Sequence, residues 1–504
     1  MLELEAVTIR REIDLNPDIC RRFKDPIVFY LTHRNDRRFF FITFVILDLQ
    51  KREISYITTY LPENIKKVEN HKKQEKYKAA SYSDPHCSIK INNKNEFVSF
   101  PEDGEYFYRV FPDRNKVRVY LADGIGVNGE AELKEFGSTF YKAEEDGKNY
   151  FYFTAIDKQK KDYPILNFFR SGLDISDIRK VFSTPISRFM NAPHATRKFG
   201  QFLISSDFSS RKYKNKKTGL VFETQGEMVR SVYEELYKEY CNSKGIIFSK
   251  ENFYQKNRIL RKEITLEREF SVFCESRGKN FLDVCSSDSQ FDFSVLPGKI
   301  SFVDLRKQTI NFLETTFCAP AHFEIDDQKG AVYTCSHNFS RVDKLYYFGP
   351  AAIDKFLVKN GHFKKVATFT DQTGYRMTNC KIFHYQGKSY LSSIGQPNRL
   401  FIIDAETMTK LFCDDIGENV LSSQKDIRYF LNNSDLENIT LRALEISDDG
   451  ELIFILSNKY IYFYSFPERR LLTRLPYHDN IPILGGNTTL YDFFQRTSHC
   501  DYLR

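Results

Sequence analysis

A pair of short β-strands recurs along this chain, and this repeat constrains the fold more than any other feature. Each copy is a run of β-branched and aromatic residues, a polar turn and a second alternating run. The copies occupy residues 106–120, 300–312, 400–412 and 460–472. This is the pattern of the two outer strands of a β-propeller blade.

The sequence predicts a second hairpin, which turns on glycine or asparagine, before each outer pair. These hairpins cover residues 321–335, 381–393 and 444–456. Glycine suits the turns because it accepts the positive φ that tight hairpins need. Four strands in each unit of roughly 60 residues are typical of one propeller blade.

The units number about seven and start near residues 27, 86, 137, 194, 319, 376 and 441, with a closing segment at 480–504. The sequence therefore predicts an all-β fold, a β-propeller of about seven blades that forms a single domain over residues 1–504. Two alternatives stay open at this point: a pair of β-sandwiches, and a ring of six or eight blades.

The fourth unit is interrupted by an insertion at residues 209–297. It opens with a basic run at 211–217, and a predicted amphipathic helix follows. Apolar residues share one face of this helix at helical spacing, namely Val229, Val232, Tyr233, Leu236, Tyr237 and Tyr240. Long insertions of this kind are usually lids or partner contacts, although a solvated decoration is an equal alternative.

The composition is that of a soluble globular protein. The formal charge is only +7, because 74 basic residues are interleaved with 67 acidic ones, and this argues against nucleic acid as a partner. The longest apolar run, 39–47, falls short of the ~18 residues of a transmembrane helix. The N-terminus lacks a signal-peptide pattern, and the ten scattered cysteines form no CxxC motif. These features predict a cytoplasmic protein, with signal-independent secretion equally compatible.

Histidines fall at matching points of several units. His194 and His322 stand six and eight residues before the turn glycines of their hairpins, and His86 and Asn379 hold comparable positions. Each is expected at the start of an innermost strand, at the mouth of the central channel. His337, across the hairpin from His322, and His499, in the closing segment, are expected near the same mouth.

Converging neutral imidazoles suit iron, zinc or manganese. The sequence thus predicts a metal site with His194, His322, His337 and His499 as ligands. We expect carboxylates to orient the imidazoles and to take part in catalysis, and the candidates are Glu324, Asp326 and Glu445. The alternatives are histidines that only hydrogen-bond between blades, as in WD-type propellers, and a metal-free polar site.

The motif A-H-x-x-φ-D-x-x-x-G at residues 321–330 resembles the block around one iron-ligating histidine of the carotenoid cleavage oxygenases. That family is similar in being a seven-bladed propeller with four axial histidines on a non-haem iron. The resemblance implies Fe(II) as the cofactor, His322 as one ligand, and His499 as the ligand that the family carries near the end of its chain. The family's second histidine block has no counterpart here, since residues 377–380 contain no histidine.

Two functional hypotheses follow. The first is a metal-dependent enzyme that performs oxidative chemistry on an apolar or aromatic small molecule. The second is a non-catalytic propeller that serves as a binding platform and contacts a protein partner through the insertion.

Overall fold

The computed structural model of the chain describes most of the propeller and part of the insertion. The described residues are 2–34, 40–60, 85–91, 96–101, 106–121, 139–157, 165–173, 178–185, 193–207, 213–215, 219–222, 225–260, 263–277, 293–336, 339–342, 345–348, 350–359, 361–375, 377, 379–395, 398–416, 441–457, 459–477 and 501–503.

Seven antiparallel sheets follow one another along the chain, and each is one blade. The strands of the first three blades, from the innermost to the outermost, are: in blade 1, Asp501–Tyr502, Ile27–Arg34, Phe40–Asp48, Glu53–Tyr60 and Val7–Glu12; in blade 2, Pro85–Lys90, Phe97–Pro101, Tyr106–Phe111, Lys116–Leu121 and Leu2–Glu5; in blade 3, Lys142–Glu145, Lys148–Asp157, Ile165–Gly172 and Arg179–Pro185.

The other four blades have the same order. Their strands are: in blade 4, Pro193–Phe199, Phe202–Asp207, Lys299–Asp304 and Thr309–Glu314; in blade 5, Pro320–Asp326, Ala331–Ser336, Pro350–Lys359 and His362–Tyr375; in blade 6, Cys380–Tyr385, Lys388–Gly395, Arg399–Asp404 and Thr409–Asp415; in blade 7, Leu441–Ile446, Leu452–Ser457, Tyr460–Ser465 and Arg470–Pro476. In addition, Thr139–Phe140 pairs in parallel with the innermost strand of blade 4.

The turns between the two outer strands explain the repeat seen in the sequence. In blade 4, one carboxylate oxygen of Asp304 accepts hydrogen bonds from the backbone N–H groups two and three residues further on, and Asp404 does the same in blade 6. Each turn then passes through a residue with positive φ, Gln308 or Met408, before the outermost strand begins. Aspartate favours such turns because its side chain satisfies the backbone N–H groups locally.

Aromatic and branched side chains fill the space between neighbouring blades. Between blades 4 and 5, the Phe302 and Phe363 rings stack with their centroids 4.0 Å apart. Buried residues of both blades surround this pair: Ala195, Ile204, Ile300, Phe323, Ile325, Val332 and Phe356. The high content of phenylalanine and tyrosine is therefore used to pack sheet against sheet.

Blade 1 closes the ring against blade 7. Its innermost strand, Asp501–Tyr502, pairs with Ile27 and Val28. In the fourth strand of blade 1, the Tyr56 hydroxyl donates to the carbonyl of Tyr477, which follows the last strand of blade 7, at 2.9 Å. The short helix Pro17–Cys20 precedes Arg22, which forms ion pairs with Asp449 and Glu451 at a blade 7 turn. Side chains from distant parts of the chain thus hold the ring shut.

Connections differ sharply between the two ends of the blades. At one end, here called the turn face, short turns join the first strand to the second and the third to the fourth, including the short 3₁₀ helix Pro112–Arg114. At the other end, the loop face, the chain passes between blades and between second and third strands. The longest connections start and finish at strand ends of the loop face; they cover residues 61–84, 122–138, 208–298, 416–440 and 477–500. The hairpin of Phe339–Val342 and Leu345–Phe348 also belongs to this face.

The insertion between the second and third strands of blade 4 has its own small core. Its elements are the strands Tyr213–Asn215, Val221–Phe222, Phe293–Val295, Arg258–Leu260 and Glu263–Thr265, and the helices Gln225–Ser243, Lys250–Lys256 and Arg268–Ser276. Tyr237 of the first helix packs on Phe253 and Phe270 of the other two, with ring centroids 5.2 and 4.9 Å apart. The predicted apolar face of the first helix is buried at Tyr233, Leu236, Tyr237 and Tyr240.

The prediction of an all-β, seven-bladed propeller is confirmed. One detail differs: the unit expected to start near residue 27 begins with the second strand of its blade, because residues 501–502 supply the first. The division of the chain into a single domain with a 209–297 insertion stays a prediction. In the part of the chain that the structure describes, no helix has the length and apolar character to cross a bilayer.

Candidate functional site

The innermost strands of blades 4 and 5 both open with a proline and a β-bulge. In blade 4 the pairing runs from Pro193 opposite Asp207 to Thr196 opposite Ser205, so the inner strand holds one extra residue. In blade 5 the same irregularity lies between Pro320 and Phe323. Proline cannot donate to the ladder, and a bulge turns a side chain away from the regular alternation.

These two bulges carry His194 and His322, and the two rings meet at the loop face. Their centroids are 4.7 Å apart and their planes nearly perpendicular, at 88°. Both residues are buried, at 5% and 6% exposure. When two imidazoles bind one ion with metal–nitrogen bonds of about 2.1 Å and an N–metal–N angle of about 90°, their ring centroids are ~4.5 Å apart. The observed separation fits a shared ion.

Ser206 joins the two bulges. Its hydroxyl oxygen accepts from the backbone N–H of Ala195 at 3.2 Å and donates to the carbonyl of Ala321 at 2.5 Å. Ala195 follows His194 and Ala321 precedes His322, so one fully buried side chain links the backbone of both histidines. The relative placement of the two rings is therefore set by the fold.

Bulges at the same place occur in blades 2 and 7. In blade 2 the irregularity lies between Pro85 and Cys87, which places the backbone of His86 within it. In blade 7 it lies between Leu441 and Ala443 and contains Arg442. A bulge at the start of the innermost strand thus recurs in four blades, and a histidine lies in it in blades 2, 4 and 5.

A row of alternating charges crosses the innermost strands of blades 4 to 7, here called the axial charge row. Arg197 lies 3.5 Å from Glu324, whose other oxygen is 3.6 Å from the Lys381 ammonium. Lys381 is also 2.8 Å from Glu445. Burial lowers the pKa of Lys381, but the carboxylates of Glu445 and Glu324 outweigh it and hold this pKa well above its usual value. Lys381 is therefore charged at neutral pH.

The predicted carboxylates do not all lie near the histidines. Glu324 and Glu445 belong to the axial charge row. Asp326 lies four residues beyond His322, about 13 Å further along an extended strand, at the turn face. There its Oδ1 accepts from the backbone N–H groups of Gln328 and Lys329 and lies 3.9 Å from the His384 imidazole, contacts that serve the turn.

Two of the four predicted metal ligands are thus together. The other two, His337 and His499, lie outside the described residues, and their role stays a prediction. Among the described residues, no set of three or more histidine, cysteine, aspartate or glutamate side chains could hold an ion. His194 and His322 are therefore a pair that needs at least one further ligand.

Sequence reasoning missed the bulges and the axial charge row. A signal for the bulges was present, since Pro-His at 85–86, Pro-His at 193–194 and Pro-Ala-His at 320–322 open three innermost strands. Arg197 and Lys381 carried no comparable signal, because each is an ordinary polar residue within its own strand. Their role depends on which blades are neighbours.

The fold and the paired histidines define the class of protein: a seven-bladed β-propeller with histidines at the axial start of its inner strands. No protein-family model matches the chain, and no curated protein matches it. Among solved structures, a mutant of the Synechocystis apocarotenoid oxygenase is similar over 97% of this chain and 96% of its own, with 9% sequence identity and a TM-score of 0.49.

A dihydro-haem d1 dehydrogenase, solved in complex with DHE, is similar over 93% of this chain and 78% of its own, with 8% identity and a TM-score of 0.42. The motif at residues 321–330 resembles the carotenoid cleavage oxygenases, and the first of these two structures is an apocarotenoid oxygenase. At these identities the likeness concerns the fold alone.

Proposed function

We propose that this chain is a metal-dependent enzyme whose ion, a non-haem Fe(II), is bound at the loop face by His194 and His322. The observation that carries the proposal is the 4.7 Å approach of the two buried imidazoles. Histidine is the commonest ligand of iron and zinc. A structural histidine pair needs neither a shared bulge position nor a common link through Ser206.

The remaining ligands are proposed from His499 and His337, with His86 as a further candidate. His86 is supported by its bulge, which corresponds to those of His194 and His322. Its strand is also close to blade 4, since Thr139–Phe140 contacts Pro85–Lys90 and pairs with Ala195 and Thr196.

The role of the chain is to hold the ion and to shape the space around it. The bulges position the imidazoles, Ser206 connects the two bulges, and the axial charge row joins the inner strands of neighbouring blades through ion pairs. Bound Fe(II) with open positions supplies oxygen chemistry. The proposed substrate is an apolar or aromatic small molecule.

Metal analysis tests the proposal. The full chain, purified and reconstituted with Fe(II), is expected to retain about one equivalent of ion. The variants His194→Ala and His322→Ala should lose it while their circular dichroism stays that of a folded protein. His362→Ala is the matched control, because His362 is exposed at the turn face of blade 5 and its loss should leave the metal content unchanged.

The second candidate function, a non-catalytic binding platform, is favoured by the exposed apolar side chains of the insertion, such as Ile247 and Leu220. It predicts a protein that retains no iron, zinc or manganese after reconstitution, with His322→Ala lowering only the stability. Equal metal content in the wild type and both histidine variants would likewise refute the proposal of a metal-dependent enzyme with its ion at His194 and His322.

A further inference from the structure

Exposed large apolar side chains are concentrated in the insertion. Within the described chain, four lie on the propeller, at Val7, Val366, Leu411 and Leu471, each in a different blade. Six lie in the much shorter insertion: Leu220, Val221, Ile246, Ile247, Tyr254 and Val272. Isolated exposed apolar residues need no explanation, but a concentration of them marks an interaction surface.

The most exposed of them, Ile247, lies next to Ile246 at the tip of a loop between two helices. Residues 244–249 connect the helices Gln225–Ser243 and Lys250–Lys256, and Ile246 and Ile247, here called the apolar tip, are 52% and 90% exposed. The first helix ends through Gly245, whose φ of +68° permits the reversal of the chain. The backbone N–H of Ile246 then donates to the Cys241 carbonyl at 2.8 Å.

The next residues fix the other side of the loop. The Phe248 ring packs edge-on against Tyr237, with centroids 6.3 Å apart, and the Ser249 hydroxyl caps the following helix by accepting from Asn252 N–H. The two helices that the loop connects already bury their own aromatic side chains against each other. The apolar tip therefore points away from the core of the insertion and does not contribute to it.

Lysines flank the apolar tip. Lys244 and Lys250 retain 52% and 67% exposure of their side chains, although each has a carboxylate nearby, Glu269 at 3.9 Å and Glu234 at 3.5 Å. Two isoleucines between two exposed lysines suit the interface of a bilayer, where the apolar groups enter the acyl boundary and the ammonium groups stay among the headgroups. The sequence of the insertion also contains a basic run at 211–217, a composition that favours anionic lipid.

We propose that the apolar tip docks the protein on the surface of an anionic lipid bilayer. The proposal rests on the insertion alone and is independent of the metal site. A protein partner is the competing occupant; it would need a larger apolar patch with a matching shape, whereas a bilayer accepts a two-residue tip.

Vesicle sedimentation of the full chain tests this proposal. Binding is expected to vesicles of phosphatidylcholine with phosphatidylserine, and weaker binding to phosphatidylcholine alone. The double variant Ile246→Ser and Ile247→Ser should weaken binding by roughly tenfold for each isoleucine. Leu471→Ser is the matched control, since Leu471 is 39% exposed on blade 7 and its replacement should change nothing.

The absence of tryptophan from the chain allows a second measurement. The variant Ile247→Trp introduces the sole tryptophan, whose emission should shift to the blue on addition of the anionic vesicles, while Leu471→Trp should not respond. Failure of the wild type to bind, or binding that the double serine variant retains in full, would overturn the proposal. So would an emission spectrum of the Ile247→Trp variant that vesicles leave unchanged while the protein sediments with them.

Discussion

The axial charge row makes a quantitative prediction at Lys381. Its side chain keeps only 24% exposure and lies between the carboxylates of Glu445 and Glu324, which are exposed by 8% and 12%. Replacing Lys381 with methionine preserves most of the volume but leaves both carboxylates without this cation. Removing one partner of a buried ion pair costs about 3–5 kcal/mol.

The expected loss is smaller than that range because the site is not fully enclosed. Glu324 retains Arg197 at 3.5 Å, and the remaining exposure of Lys381 admits solvent screening. We therefore expect Lys381→Met to lower the free energy of unfolding by about 2–3 kcal/mol at pH 7. Lys51→Met is the control, since Lys51 is 65% exposed in its pair with Asp48 and should contribute under about 1 kcal/mol.

The pH dependence gives an independent check. The folded-state pKa of Lys381 is raised, so its contribution is fully present below the unfolded value of about 10.4 and is lost only as the pH rises through the folded value. The difference between wild type and Lys381→Met should thus persist from pH 7 to about pH 10.

Equilibrium urea unfolding, followed by circular dichroism with the slope compared between variants, measures both effects. The double variant Lys381→Met with Glu445→Gln should recover part of the loss, since the pair is in direct contact. A loss no greater than that of Lys51→Met, or one that disappears between about pH 7 and pH 10, would refute the account of the axial charge row.

Two further changes test the frame around the site. Ser206→Ala removes the link between the two histidine bulges; it should cost about 1–3 kcal/mol in urea unfolding and weaken metal retention, and an unchanged metal affinity would show that the bulges are fixed by other contacts. Gly450 and Gly147 have nearly the same backbone conformation, with φ of +73° and +70°. A methyl group added at Gly450 would clash with the backbone carbonyl of His384, whereas one added at Gly147 would meet nothing within 4 Å. Gly147→Ala should lower the free energy of unfolding by about 1 kcal/mol through its backbone conformation alone, and Gly450→Ala should lower it distinctly more. Equal losses for the two variants would contradict a steric clash at Gly450.

The outer hairpins of the blades could be predicted because their signals are local. The turns at Asp304 and Asp404 combine an aspartate that binds its own backbone with alternating strands on both sides, and both features are visible in the sequence. The innermost strand of blade 1 could not be predicted in this way. Asp501–Tyr502 is two residues long, too short for any periodicity, and its partner strand lies at the opposite end of the chain.

The candidate site likewise has one part that local sequence signals predict and another part that depends on contacts between blades. The positions of His194 and His322 followed from counting back from turn glycines, because an innermost strand has a nearly constant length. Their approach to 4.7 Å depends on bulges that add a single residue, which is within the error of any count from sequence. The axial charge row depends on contacts between blades, and a strand shows no sign in its own sequence of which charge its neighbour will present.

The equivalence of the inner strands also limits where further ligands can come from. In blades 6 and 7, Asn379 and Arg442 occupy the places next to or within the bulge position, and the Asn379 amide is turned to the Arg442 carbonyl at 3.5 Å. A guanidinium offers no lone pair and repels a divalent cation. We therefore propose that the remaining ligands of an ion at His194 and His322 come from His499, which precedes the innermost strand of blade 1, from His86 in the bulge of blade 2, or from His337, which follows the second strand of blade 5 in the sequence. If none of the variants His86→Ala, His337→Ala and His499→Ala loses metal, the two histidines have no further ligand among these residues and the proposed site is incomplete.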